Sequence, residues 1–167
     1  FWCPEAAVED NRDYQMYADQ GHLTLTPGNM TDYEFIEQDI LNWAKQFTIR
    51  SLAFDPFQAT YMITRLQSQG INCVEYPNTV KNMSSPMKSV EALTLDGRLF
   101  NERRNKCMDW NTSCVMAKTD AKNNIFPRVS ESALSHIDGF VALIFAMGRW
   151  NLEEEDDSYA SGRLITL

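Results

Sequence analysis

The sequence predicts an α/β domain, on three observations. Short apolar runs of strand length alternate with stretches of helical period, turn residues separate them, and the chain is long enough to bury a core. Strand-like runs fall at 23–26, 49–54 and 71–76, and helical patterns at 31–47 and 56–70. Such an alternation packs helices onto a sheet. With 167 residues, 44% of them apolar, one domain is expected. Residues 1–150 should form it, and 151–167 an acidic, mobile tail.

Taken in order, Phe1-Trp2-Cys3-Pro4 has no initiator Met and reads like the exit from a strand. The chain is therefore expected to be a piece of a longer one, cut on its N-terminal side. Residues 5–21 are polar, helical or irregular around 14–18. Leu23-Thr24-Leu25-Thr26 is a short strand stopped by Pro27-Gly28. Thr31 and Glu34 have the spacing of a capping box. They open a helix with Ile36, Ile40, Trp43, Ala44 and Phe47 on one face, ending near Phe47.

Residues 49–54 have the composition of a buried strand closed by Asp55, and Pro56 suits a first helical position. Ala59, Met62, Ile63 and Leu66 share a face of the helix that follows, which stops at Gly70. After the strand at 71–76, Ser85-Pro86 begins a helix carrying Met87, Val90 and Leu93, closed at Asp96-Gly97. Residues 106–111 are weakly helical. Residues 114–118 and 125–128 flank a polar turn at 120–124, a hairpin pattern. Residues 137–150 form the last helix, apolar all round and so expected to be buried on both sides. The like-charge run Glu153-Glu154-Glu155-Asp156-Asp157 follows it.

The net charge of −8 argues against nucleic-acid binding by bulk electrostatics alone. The charge is segregated, however. From Arg98 to Arg128 seven basic residues (Arg98, Arg103, Arg104, Lys106, Lys118, Lys122, Arg128) face three acids (Glu102, Asp109, Asp120), which leaves that segment at +4 and the remainder at −12. An unevenly charged, solvated surface explains this, and so does a basic lobe that meets a polyanion. Cys3, Cys73, Cys107 and Cys114 match no zinc spacing and are expected to be free, buried thiols in a reducing compartment. No stretch is long and apolar enough to span a bilayer, and no signal peptide is visible. There is no Walker-type GxxxxGK[ST], GxSxG or HExxH pattern, so an ATP site is not expected here.

Two acids stand where burial makes charge costly. Asp55 ends the buried strand and Asp138 opens the apolar last helix. Each has a purely structural explanation. Asp before Pro is a good helix start, and a first-turn acid gains from the helix dipole. Each also has a functional one, as a ligand at the C-terminal edge of a sheet strand or at a helix start facing it. Asp32 shares the Thr31 capping site, Glu75 lies near the end of its strand, and His136 adjoins Asp138, where it could assist a metal-bound water. His22 is isolated.

Read together, several segments resemble the C-terminal part of the large terminase subunit of tailed bacteriophages or prophages. They are Gly21-His22-Leu23, Thr26-Pro27-Gly28-Asn29, Asp32-Tyr33, Leu52-Ala53-Phe54-Asp55-Pro56-Phe57, Ser85-Pro86-Met87-Lys88, Glu91-Ala92-Leu93, Asp96-Gly97-Arg98-Leu99, Ile137-Asp138-Gly139 and Val141-Ala142-Leu143. The tail pieces Ser158-Tyr159 and Gly162-Arg163-Leu164 are similar too. No single motif is specific, but their order over nearly the whole chain is.

The resemblance implies a ribonuclease H-like mixed sheet flanked by helices, with a hairpin insertion and without its first strands. It implies an endonuclease that cuts concatemeric double-stranded DNA during packaging, in the host bacterial cytoplasm at the procapsid portal. Its partners would be an N-terminal ATPase domain of the same protein, the portal protein and the small terminase subunit. Asp55 and Asp138 would be metal ligands for Mg²⁺ or Mn²⁺, two ions in the intact domain, with a further acid on a strand preceding Phe1. The seven basic residues of the Arg98–Arg128 segment would track the DNA backbone. The chain departs from the family by lacking that acid, which puts cleavage by this piece alone in doubt. It also departs where Val129-Ser130-Glu131-Ser132 occupies a stretch that often holds a basic residue. Two other readings compete: a docking module contacting the portal or ATPase domain, and, less well supported, an unrelated small-molecule enzyme.

Overall fold

The structure is a computed structural model that describes residues 1–57, 60–101, 104–130 and 135–160, with side chains on the last helix through Glu153. The expectations at Ala59, Arg103, Glu131, Ser132 and residues 161–167 lie outside the described residues.

Among the described residues six strands pair two by two. β1 (Trp2–Pro4) and β2 (Thr24–Thr26) run parallel, as do β3 (Leu52–Phe54) and β4 (Cys73–Glu75), while β5 (Val115–Thr119) and β6 (Ile125–Val129) form the expected antiparallel hairpin. The class is therefore mixed α/β. Between and around the strands lie α1 (Ala7–Asp10), α2 (Asp13–Asp19), α3 (Tyr33–Ala44), α4 (Thr60–Ser68), α5 (Val80–Leu95), α6 (Lys106–Ser113) and α7 (Asp138–Ala160).

Several boundaries differ from the sequence reading for physical reasons. The cap of α3 is Asp32, whose carboxylate accepts the Glu34 N–H at 2.9 Å, rather than Thr31. Buried Thr26 supports this start by accepting the Asp32 N–H at 3.2 Å. α3 also stops at Ala44, which leaves Phe47 exposed. Pro56 occupies a bend instead of a first helical position.

α5 begins at Val80, six residues before Pro86, which sits inside the helix. A proline there has no N–H to give the carbonyl four residues back, that of Asn82. The vacancy is filled from outside, because the Tyr76 hydroxyl donates to that carbonyl at 2.7 Å. The cost of an interior proline is thus largely offset, and proline position alone misplaces the helix start.

Among the described residues three cores hold these elements. Tyr76, Met83, Met87, Val90, Phe140, Ile144 and Phe145 join α5, α7 and the hairpin. Ile40, Ile63, Leu66 and Ile71 join α3 and α4 to β3 and β4. Tyr17, Leu23 and Cys107 join α2 and α6 to the first two strands. Each fully buried aliphatic side chain, such as Leu66 or Ile144, contributes about 1.5–3 kcal/mol. Glu37 is buried between α3 and α4, and Arg65 compensates it through an Nε contact at 2.7 Å.

α7 is not buried on both sides. Phe140, Ile144 and Phe145 face the core, whereas Ala142, Ala146 and Trp150 make an exposed stripe at helical spacing. The helix also continues past Trp150 to Ala160. Among the described residues no helix is long and apolar enough to cross a membrane. All four cysteines are free, Cys107 and Cys114 buried, Cys3 and Cys73 half-buried.

Candidate active site

β3 delivers Asp55 to the end of a parallel strand pair. Its Oδ1 accepts the Phe57 N–H at 2.9 Å and its Oδ2 the Asn78 N–H at 3.1 Å. The carboxylate therefore organises two loops, one after each strand. This replaces the expected capping role, since Pro56 and Phe57 form a bend and α4 is helical from Thr60. Each oxygen keeps a lone pair beyond its single hydrogen bond.

Asp138 is the first residue of α7, where the positive end of the helix dipole favours a carboxylate. Its side chain is 87% exposed, and His136 Nδ1 lies 3.6 Å from its Oδ2. His136 packs in turn on Trp110, with ring centroids 5.8 Å apart. The start of α7 is fixed from α6 by Asn111. This residue is 2% exposed, its Oδ1 accepts the Gly139 N–H at 2.9 Å, and its Nδ2 donates to the Cys107 carbonyl at 3.3 Å. Asn111 satisfies one of the N–H groups that every helix start leaves without a partner. The sequence reading missed it. The available signal was a lone amide in the apolar stripe Cys107, Trp110, Asn111, Cys114 at helical spacing.

The two acids lie toward the same end of the β3–α7 pair. Ser51, just before β3, contacts Arg149 at 3.3 Å and Glu153 at 2.9 Å on the C-terminal half of α7. Tyr76 donates its N–H to the Phe54 carbonyl at the far end of β3 and packs on Phe145, at 5.0 Å between centroids. α7 therefore runs opposite to β3. Its N-terminus, seven residues or about 10 Å beyond Phe145 along the axis, projects past the end of β3 that carries Asp55. Close approach of Tyr76 needs Gly148, where an added Cβ would meet the Tyr76 hydroxyl.

Beside Asp138 opens a cavity of about 650 Å³, bounded by β1, α1, α2, α6 and the start of α7. Tyr14, Trp110, His136 and Asp138 line it, and Asp55 does not. Among the described residues no three His, Cys, Asp or Glu side chains cluster as a ready metal cage. Glu75 is exposed opposite Phe54 on the neighbouring strand, and Asp32 is the α3 cap. His22 accepts the Lys106 N–H at 3.2 Å, a structural tie to α6.

The family model for the terminase large subunit, endonuclease domain, matches residues 5–155. The chain belongs to that family. It is 35% identical to the protein YmfN of Escherichia coli strain K12 over 168 residues, which cover 95% of this chain and 37% of YmfN. It is 28% identical to the terminase large subunit of Enterobacteria phage HK97 over 160 residues, 92% of this chain and 31% of that protein. The crystal structure of the HK97 bacteriophage large terminase superposes with a TM-score of 0.76 at 26% identity, covering 89% of this chain and 32% of the other. The chain spans about a third of the length of the curated relatives it matches.

On this terminase nuclease domain the basic segment is displayed outward. Arg98, Arg104, Lys106, Lys118, Lys122 and Arg128 are all exposed. Arg104 has a left-handed backbone (φ 49°), and Lys106 pairs loosely with Asp109 at 3.7 Å. In the hairpin, Met116 pairs with Arg128 and Lys118 with Phe126, so Lys118 and Arg128 share a face. The Arg128 guanidinium stacks 5.1 Å from the Phe126 ring. The opposite face packs on α5, where buried Ser84 accepts the Ile125 N–H at 3.1 Å. The turn is held by Asp120, which accepts the Lys122 and Asn124 N–H groups at 2.8 and 2.9 Å. Those bonds, with the Asn124 side chain foremost, hold the Asp120 carboxyl below its ordinary pKa.

Proposed function

We propose that this domain hydrolyses the phosphodiester backbone of double-stranded DNA during packaging, with Asp55 and Asp138 as carboxylate ligands for Mg²⁺ or Mn²⁺. The observation that carries the reading is the opposed course of β3 and α7, which sends both acids toward one end of the fold. The donor set fits a hard cation. Asp55 is fixed by two backbone N–H groups yet keeps lone pairs, and the Asp138 carboxylate meets solvent. Two carboxylates suffice for one ion that keeps several waters, and the pair of ions proposed for the intact domain requires a further acid. A bound divalent ion supplies charge neutralisation at the transferring phosphate and a more acidic water.

The chain's own residues do the rest. Asn111 and the start of α7 hold Asp138 in place, the Asn78 and Phe57 N–H groups orient Asp55, and His136 steadies the Asp138 carboxylate. Arg98, Arg103, Arg104, Lys106, Lys118, Lys122 and Arg128 contact phosphates without reading sequence. The parent protein would work in the host bacterial cytoplasm with its own ATPase domain, the small terminase subunit and the portal.

Calorimetric titration with Mn²⁺ tests the reading. Binding should weaken strongly in Asp55→Ala and in Asp138→Ala. Unchanged binding in both would leave only a docking role against the portal or ATPase domain.

A further inference from the structure

We propose that Lys81 on α5 and Lys122 on the hairpin turn together grip one backbone phosphate of the DNA, in the cleft between those two elements. The inference rests on the nuclease reading above and adds to it a substrate contact from outside the basic Arg98–Arg128 segment. The cleft is open, about 560 Å³, and is lined by Val80, Lys81, Asp120, Ala121, Lys122 and Asn124. Its two walls are tied together. Lys81, Ser84 and Lys88 recur at i, i+3 and i+7 on one face of α5. Ser84 accepts the Ile125 N–H at 3.1 Å, and Lys88 Nζ donates to the Asn123 carbonyl at 2.8 Å. Those bonds fix the turn against α5 and set Lys122 across the cleft from Lys81.

Neither lysine side chain serves the fold. Both residues are exposed, and among the described residues neither ammonium group pairs with a carboxylate. Lys81 is the second residue of α5, whose first turn carries no acid, and a cation there opposes the positive end of the helix dipole. Asp120 brings a negative charge to the lining, but its oxygens are engaged by the Lys122 and Asn124 N–H groups and the Asn124 side chain. An anion lodged between the two lysines relieves both.

The place of the cleft decides which anion. Asn78, whose N–H is held by Asp55, directly precedes Thr79, the cap of α5. Lys81 comes three residues after Asn78, so their Cα atoms are at most about 11 Å apart. Along one DNA strand that distance spans about three phosphates, at about 3.4 Å of axis each. A strand running from Asp55 along the start of α5 brings a phosphate to the cleft, and the basic hairpin continues the same path.

The test is binding of a short labelled DNA duplex to the full-length protein in EDTA, read by fluorescence anisotropy across a salt series. Lys81→Ala and Lys122→Ala should each weaken binding. The double variant should lose about eightfold at about 0.1 M salt, with the slope of log K against log salt reduced by about 1. Lys81→Arg keeps the charge and should bind as wild type. Lys45→Ala, which removes an exposed lysine at the end of α3, should change nothing. Every altered side chain is exposed, so the variants should fold. Wild-type affinity and slope in Lys81→Ala, or a double variant no weaker than Lys122→Ala, would overturn the proposal. Because no divalent ion is present, that outcome leaves the metal roles of Asp55 and Asp138 standing. Conversely, loss of those roles would not erase the effect of Lys81 on DNA binding.

Discussion

Asp55 and Asn78 tie two parallel strands together beyond their last ladder bond, the Asp55 carboxylate accepting the Asn78 N–H at 3.1 Å. Because the other oxygen holds Phe57, the residue is both a structural joint and a proposed metal ligand. The two roles separate by substitution. Asp55→Asn keeps one acceptor oxygen and should cost about 1 kcal/mol, while Asp55→Ala loses both bonds and should cost about 2 kcal/mol. Urea unfolding followed by circular dichroism measures this. Both variants should lose Mn²⁺ binding, whatever their stability.

Gly148, Tyr76 and Pro86 form a linked unit. A Cβ at position 148 would overlap the Tyr76 hydroxyl, which is needed at the Asn82 carbonyl that Pro86 cannot serve. Gly148→Ala should therefore destabilise by about 1–3 kcal/mol, and Tyr76→Phe by about 1 kcal/mol. In the double variant the two losses should be somewhat less than additive, since the phenyl ring lacks the nearest clashing atom, although its Cζ still crowds the added Cβ. Strict additivity in thermal melts would disconnect the two residues.

Lys118 and Arg128 share the outward face of the hairpin. If both contact phosphates, replacing the pair with Ala should weaken DNA binding equally across sequences. It should also lower the slope of log K against log salt by about 2. An unchanged slope would remove the hairpin from the DNA path.

Burial pushes the Cys107 thiol up to about 11. Iodoacetamide at pH 8 should therefore label it only after unfolding, because little thiolate is present. The thiol is protonated more tightly in the folded state than in the unfolded one, where its ordinary value is near 9. Its contribution to stability is thus complete below pH 9 and is lost as pH rises toward 11. Denaturation midpoints of wild type and Cys107→Ala should converge over that window. A constant gap would contradict the assignment.

Much of this was legible in the chain. Periodicity located the last helix and α3, and Asp120 with its polar neighbours marked the hairpin turn. The order of Asp55 and Asp138 among their neighbours pointed to the family. What was not legible depended on contacts between distant residues. Pro86 looked like a helix start because the Tyr76 hydroxyl that makes it tolerable lies ten positions away. Asn111 looked like part of a weak helix because its partner, the Gly139 N–H, is on another element. The open face of α7 was hidden because Ala142, Ala146 and Trp150 are apolar whether covered or not. Asp55 looked like a helix cap because its second partner, Asn78, comes from the next strand.

Cleavage of linear duplex DNA by the full-length protein in Mn²⁺, comparing wild type with Asp138→Asn, tests the account most directly. Asn keeps the size of the side chain and removes the charge from an exposed site, so folding should be unaffected. The account predicts that cutting falls by at least about a hundredfold while ATP hydrolysis by the parent protein persists. Cutting at the wild-type rate would show that Asp138 holds no ion and that the fold carries its chemistry elsewhere.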